Sequence, residues 1–196
     1  MVDRADALAT ELLPLLPAGT RVVLDVGSGT GHNVAAIRRR LPDAAYVECD
    51  VADFHVVGNG PIVVRGGRMP FRSASIDVCL LQFILQYPDD PASVLAEVRR
   101  VAGIDGVVIV RQTVYRGPVG KAVLAVSEFV WGPLAYAVAR LCGAVPGGAS
   151  TGLRPRRYFS EQDLVALCES AGFRCESEQI VRKGTNTCYD VILVLK

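Results

Sequence analysis

Short apolar runs alternate with amphipathic stretches along most of the chain. The apolar runs predict strands at residues 22–26, 44–49, 61–64, 76–81 and 107–110, with two more at 174–181 and 187–195. Apolar residues at helical spacing predict helices over residues 3–16, 32–41, 92–101 and 159–173. Strands that alternate with helices in this way indicate an α/β domain built on a largely parallel sheet.

A glycine-rich turn, Asp25-Val-Gly-Ser-Gly-Thr-Gly31, joins the first predicted strand to the helix that follows it. Its three glycines permit positive φ angles and let a ligand approach the backbone closely. The start of the helix offers unpaired N–H groups to a negatively charged part of that ligand. The dinucleotide fingerprint G-x-G-x-x-G has its third glycine one residue later, where this chain has His32. The spacing therefore disfavours a nicotinamide dinucleotide.

The motif D-x-G-x-G-x-G resembles motif I of the class I methyltransferases that use S-adenosylmethionine (SAM). Residues 69–71 (Met-Pro-Phe), 73–77, 82–91, 97–101 (Glu-Val-Arg-Arg-Val) and 159–173 resemble later motifs of that family, in the family's order. The resemblance covers roughly residues 20–111 and 158–196. It implies a Rossmann-like seven-stranded sheet with helices on both faces and an antiparallel last strand between the fifth and sixth. The chain departs from the family at residues 51–60, which are barely long enough for the usual helix.

The resemblance also implies a cofactor site at the carboxyl ends of the strands. A carboxylate about 20 residues beyond the glycine turn commonly binds the ribose hydroxyls, which selects Asp50. Glu48 points to the same side of that strand but lies deeper, and is the alternative. Gly67 stands where many family members have an acid that binds the adenine amino group, whereas Gln82 and Phe83 should border the transferable methyl group. The expected cofactor-binding residues are Asp25, Gly27, Ser28, Gly29, Gly31, His32, Asn33, Asp50, Val51, Gly67, Arg68, Met69, Gln82 and Phe83.

An oxygen nucleophile in the acceptor would need a general base, and three residues are candidates. Tyr87 occupies the position of a family histidine, although an aromatic residue there more often simply packs. His55 and Glu128 are the other two candidates. No metal site is expected.

Residues 112–157 form an apolar insert where many relatives have a shorter connection. Residues 119–145 carry few charges, and Trp131-Gly-Pro133 should divide them into two helices. Three interpretations remain open: a helical pair that completes the core, a lid whose apolar side receives the acceptor, or a membrane-surface or dimer contact. We expect a single domain over residues 1–196, with an N-terminal helix in residues 1–20.

The composition limits the classes of binding partner and the cellular compartment that we expect for this protein. The 196 residues include 51% hydrophobic and 21% charged residues with a net charge of +1, so the chain has no basic character that would favour nucleic acid. Its six cysteines are scattered, without a C-x-x-C pair, which favours reduced thiols. No basic-then-apolar leader precedes the first helix, and we expect a cytoplasmic protein.

The sequence thus predicts SAM-dependent methyl transfer by direct displacement to a small, hydrophobic or lipid-like acceptor. The methylated atom, O, C or N, stays open. A non-catalytic methyltransferase-like partner protein is the alternative, and an NAD-dependent oxidoreductase is a weaker one.

Overall fold

A computed structural model describes residues 2–64, 68–126, 155–181 and 187–196, which share one mixed β-sheet. The strands are β1 (Val22–Val26), β2 (Ala45–Asp50), β3 (Ile62–Val63), β4 (Val78–Gln82), β5 (Val107–Tyr115), β6 (Phe159–Ser160), β7 (Cys175–Val181) and β8 (Cys188–Leu195). Their order is β3-β2-β1-β4-β5-β8-β7, with the two-residue β6 paired to the end of β5. The first five strands are parallel, and β8 runs antiparallel between β5 and β7. The predicted topology is confirmed, and β6 is a short addition.

Helices cover both faces of the sheet, as predicted. They are α1 (Val2–Leu12), α2 (His32–Arg38), α3 (Pro91–Ala102), α4 (residues 117–126) and α5 (Glu161–Ser170), with a 3₁₀ turn at Leu13–Leu15. On one face α1 and α2 pack against β-strand side chains that include Val23 and Leu80. On the other face α3 and α5 pack against side chains that include Leu24 and Leu81. Consecutive residues of a strand therefore pack into two separate cores on opposite faces, which is the expected alternation of a sheet covered on both sides.

Side-chain caps fix the starts of α3 and α5. The Asp90 carboxylate accepts a hydrogen bond from the Ala92 N–H at 3.0 Å, immediately before Pro91 begins α3. Ser160 and Asp163 form a reciprocal capping box at the start of α5. Each cap satisfies N–H groups that would otherwise lack partners at the helix end.

Two segments depart from the usual pattern of the fold. No helix lies between β2 and β3, because residues 51–61 form a loop without regular structure. The truncation that the sequence predicted is therefore present. Strand β5 is longer than expected, since residues 112–115, predicted as the start of the insert, continue its pairing with β8. The insert begins with α4, and residues 127–154, including Glu128 and the predicted break at Trp131, lie outside the described residues.

The five cysteines in the described part of the chain are all free. Burial raises the pKa of the thiols of Cys49, Cys79 and Cys168 to about 12. These three thiols are packing groups rather than nucleophiles.

Among the described helices, none combines the length and the apolar character needed to cross a bilayer.

Candidate cofactor site

The glycine turn lies at the carboxyl end of β1, where the strand order reverses between β2 and β4. Such a switch point is where open α/β sheets bind ligands. The N–H groups of Gly27 and Ser28 donate to the Cys49 carbonyl at 2.8 and 3.2 Å, which ties the turn to β2. Gly29 has a φ of +56°, and no atom lies within 4 Å of the position that a Cβ would take. The turn is therefore anchored at its start and open at Gly29.

Asp50 ends β2 with its carboxylate directed at this turn. One carboxylate oxygen accepts the Gly29 N–H at 2.8 Å, and the other accepts the Val51 N–H at 2.7 Å. The side chain is half-buried, at the rim of the turn. The alternative acid, Glu48, lies deeper, with its side chain only 10% exposed and 3.8 Å from the Arg38 guanidinium. The geometry thus places Asp50, rather than Glu48, at the rim.

Asp25 lies on the same face of the sheet but in a very different environment. It is 2% exposed, and its Oδ1 atom has no hydrogen-bond partner among the described residues. Its backbone is in register with Glu48 on the adjacent parallel strand, so the two side chains share one face. Burial, and then the charges of Glu48 and Asp50, raise the pKa of the Asp25 carboxyl to about 8. The site therefore holds a carboxylate that needs a positive charge to ionise near neutral pH.

The carboxyl end of β4 supplies two more residues of the site. Gln82 is 7% exposed; its side chain lies close enough to the Asp25 carboxyl to lower the pKa of that group slightly, but neither amide atom makes a hydrogen bond of normal geometry within the described ranges. Phe83 has a φ of +58°, a conformation that costs a non-glycine residue roughly 1–3 kcal/mol. Its N–H donates to the Arg111 carbonyl at 2.8 Å. Unpartnered polar atoms and backbone strain at one strand end are typical of a ligand site.

The remaining predicted residues divide between the turn and the edge of the site. His32 is half-buried at the start of α2, and its Nδ1 lies 2.9 Å from the Thr30 hydroxyl. Asn33 follows it and is half-buried. Met69 is buried, and its N–H and carbonyl are taken by Glu97 and Arg100 of α3, at 2.9 and 3.0 Å. Its backbone is therefore already engaged in the position where adenine contacts were expected.

Arg68 is exposed, and Gly67 lies outside the described residues. The three candidate bases are not brought together among the described residues. Tyr87 is half-buried in the turn after β4, where its N–H donates to the Ile84 carbonyl at 3.0 Å. The His55 side chain is only 4% exposed and lies against the glycine turn, 3.0 Å from the Ser28 hydroxyl. Glu128, as noted, is outside the described residues.

A buried ion-pair cluster lies next to Gln82 and was not predicted from the sequence. Arg111, paired in register with Gln82, is 1% exposed and contacts the carboxylates of Glu11 in α1 and Asp190 in β8. Its guanidinium also stacks on the Phe83 ring, 5.4 Å from the ring centre. The signal available in the sequence was a lone arginine inside the apolar run of β5 and a lone aspartate inside that of β8. The cluster ties α1 to the sheet beside the site.

These features fit SAM, whose ammonium group and sulfonium are positively charged. The unpartnered Oδ1 of Asp25 offers a carboxylate to that charge, and the open space at Gly29 admits a ligand against the backbone. Asp50 stands at the rim, where adjacent ribose hydroxyls would meet it.

Comparison with known proteins agrees with this geometry. Residues 24–110 match the family model described as a methyltransferase domain. A curated protein of Mycobacterium sp. (strain JLS), named as an uncharacterized methyltransferase, is 34% identical over 132 residues. That match covers 63% of this chain and 50% of the relative, so the chain spans about half the length of the curated relatives it matches.

Solved structures share the fold along nearly the whole chain. A SAM-dependent methyltransferase from Aquifex aeolicus has a TM-score of 0.62 and 15% identity, and the match covers 99% of this chain and 98% of that one. A second is the 1,6-didemethyltoxoflavin-N1-methyltransferase from Burkholderia thailandensis, solved with 1,6-didemethyltoxoflavin and S-adenosylhomocysteine. It has a TM-score of 0.60 and 17% identity, over 99% of this chain and 76% of that one. The family match covers β1 to the first half of β5, and the solved structures show that the chain shares its fold with SAM-dependent methyltransferases.

Proposed function

We propose that this chain catalyses methyl transfer from SAM to a small, hydrophobic acceptor. The observation that carries the proposal is Asp25, a buried carboxylate with an unpartnered oxygen beside an open glycine turn. Leaving such a group unsatisfied costs about 1–3 kcal/mol, more when it is charged, so a ligand that pairs with it has a strong reason to bind there. The methyltransferase-domain match over residues 24–110 and the fold shared with SAM-dependent methyltransferases support SAM as that ligand.

The residues of the chain would act mainly by holding and aligning. SAM supplies an electrophilic methyl group on a positively charged sulfur. Asp25 would bind the amino group, Asp50 would accept hydrogen bonds from the ribose hydroxyls, and Gln82 would line the path toward the acceptor. Alignment of two bound partners in a dry cleft can supply about 7–11 kcal/mol of the barrier reduction. An acceptor with a weakly acidic nucleophile would additionally need a base, for which Tyr87 stays a candidate.

A hydrophobic acceptor is supported by the start of the insert. In α4, Leu124 is buried against the domain, whereas Val119, Val123 and Val126 are 65%, 43% and 59% exposed. These three valines follow helical spacing, so α4 presents an apolar stripe to the outside. The sequence of residues 119–145 continues the apolar character. We propose that the insert covers the acceptor as a lid. A membrane-surface or dimer contact is the competing role.

Removal of residues 119–145 tests the acceptor assignment. It should abolish turnover and spare SAM binding, and full turnover on apolar acceptors would overturn the lid. Because Leu124 is part of the core, the double substitution Val119→Ser with Val123→Ser serves as a milder variant that should raise KM for an apolar acceptor. Vesicle binding or dimerisation that these serines abolish, with KM unchanged, would favour the competing role.

Ligand titration tests the proposed function itself. SAM and S-adenosylhomocysteine should each raise the melting temperature and bind in isothermal titration, whereas NADH should do neither. Mass spectrometry of the purified protein for a co-purifying adenosyl ligand, followed by a screen of acceptors with labelled SAM, would identify the product. If neither adenosyl ligand binds, the chain is a non-catalytic member of the fold family.

A further inference from the structure

The loop of residues 51–61 lies directly against the glycine turn, in the stretch where the fold family has a helix. The N–H groups of Val56 and Val57 donate to the Thr30 carbonyl at 3.1 and 3.3 Å. A Cβ on Gly31 would lie 2.5 Å from the Val57 carbonyl oxygen and 3.2 Å from the His55 ring. The third glycine of the turn is therefore required by this loop, independently of any cofactor.

His55 is the buried anchor of this loop. Its Nε2 lies 3.0 Å from the Ser28 hydroxyl in the glycine turn and 3.2 Å from a carboxylate oxygen of Glu48 in β2. Its backbone N–H donates to the Asp53 carboxylate at 3.1 Å, which shapes the loop around it. The ring thus connects the loop, the turn and β2 through one atom.

The charges around His55 are mostly negative. Glu48 faces it from β2, Asp25 lies beside Glu48 on β1, and Asp53 contributes from the loop itself. Among the described residues, Arg38 of α2 is the one cation on a packed helix near these carboxylates, and its guanidinium lies 3.8 Å from Glu48. The Nδ1 atom of His55 has no hydrogen-bond partner within the described ranges.

We propose that His55 is a positioning residue for the cofactor: it holds Ser28 and the short loop in place as a fixed wall of the SAM site. The inference rests on the proposed function and gives His55 a structural role in the site rather than that of a general base. The ring can share a hydrogen bond with the Ser28 hydroxyl, so its loss should free both Ser28 and the loop.

The variants His55→Ala and His55→Gln test the proposal, with Val56→Ala as the matched control in the same loop. Val56 is 46% exposed, and its substitution keeps the backbone hydrogen bond. We expect His55→Ala to weaken SAM binding by about tenfold and to speed hydrogen exchange of the Val56 and Val57 amides by a similar factor. His55→Gln, which can keep one of the two contacts, should fall between His55→Ala and the wild type. Val56→Ala should match the wild type.

Rescue by a hydrogen-bonding side chain separates positioning from mere packing. His55→Leu, which fills the space without a hydrogen-bonding atom, should bind SAM as weakly as His55→Ala, whereas His55→Gln should recover part of the affinity. Equal SAM affinity of His55→Leu and His55→Gln, or SAM binding by His55→Ala within about twofold of the wild type, would overturn the proposal. Exchange of the two amides is measured without ligand, so unchanged exchange in His55→Ala overturns it even if SAM does not bind. Absence of SAM binding by the wild type would instead refute the proposed function.

Discussion

Asp25 and Asp50 are two acids on one face of neighbouring strands, and the protein treats them in opposite ways. Asp50 is half-buried and accepts two backbone N–H groups, from Gly29 and Val51. Asp25 is almost fully buried, has an oxygen without a partner among the described residues, and has a pKa raised to about 8.

The difference shows which carboxylate the fold needs and which one a ligand needs. Asp50 stabilises the free protein, since it satisfies donors of the turn and of the following loop. Asp25 destabilises the free protein near neutral pH, since its charged form is disfavoured by burial and by like charges. A group that costs stability in the free protein is typical of a site prepared for a partner, and the following substitutions can break or sharpen this contrast.

The largest effect is expected for Asp25→Asn. It should weaken SAM binding by roughly 100-fold or more, because the amide carries no negative charge to pair with a cationic ligand. The same substitution should raise the stability of the free protein at pH 7. Urea unfolding and isothermal titration measure the two effects, and a variant that loses stability while it keeps SAM affinity would contradict the account.

The stability change of Asp25→Asn should depend on pH in a defined direction. The unfolded chain loses this proton near pH 3.8, whereas the folded chain keeps it until about pH 8. Between those values the folded state holds more protons, so wild-type stability falls as pH rises, by up to about 1.4 kcal/mol per unit. The advantage of the asparagine variant should therefore grow from pH 4 to pH 8 and stay constant above it.

Gly29→Ala and Gly31→Ala should separate the ligand's need for glycine from that of the protein. At Gly29 the methyl group enters open space, so the free protein should lose only about 1–2 kcal/mol for the positive φ. SAM binding should nevertheless fall by roughly tenfold or more. At Gly31 the methyl group meets the Val57 carbonyl, so the loss of stability should be larger. Equal losses in the two variants would show that the turn is not open at Gly29.

Asp50→Asn should lower the stability of the free protein, whereas Asp25→Asn should raise it. The asparagine has one carbonyl oxygen, so either the Gly29 or the Val51 N–H loses its acceptor, at a cost of about 1–3 kcal/mol. SAM binding should weaken by about tenfold. Thermal unfolding with and without SAM measures both, and a stabilised Asp50→Asn would remove the contrast between the two acids.

The smallest effect is expected for Gln82→Met. The amide of Gln82 makes no hydrogen bond of normal geometry within the described ranges and only a weak contact with Asp25, so an apolar side chain of similar shape should change the stability of the free protein little. SAM binding should weaken by about threefold. A marked loss of stability would show that this amide already has a structural partner.

Much of this site could be predicted because it depends on local backbone chemistry. The strand that leads into Asp25 and the glycines after it leave few alternatives, and Asp50 follows at the spacing of the fold. The place of the antiparallel last strand also followed from the family resemblance.

What could not be predicted depends on contacts between distant residues. The pairing of Arg111 with Glu11 joins residues 100 positions apart, and no local pattern announces it. His55 lies against the glycine turn because a loop replaces the usual helix after β2. The sequence indicated that this helix is truncated or missing, but it did not indicate the path of the loop. The engagement of Met69 by α3 likewise required the packed structure.

Proton release on SAM binding tests the central claim most directly. Isothermal titration at pH 6.5 in buffers of different ionisation enthalpy counts the protons, at a pH where the amino group of SAM keeps its own charge. If SAM ionises Asp25, about one proton should be released, and His55→Gln should still release it. Binding of SAM without proton release in either protein would contradict the account, because Asp25 would then not be the group that receives the cofactor's charge.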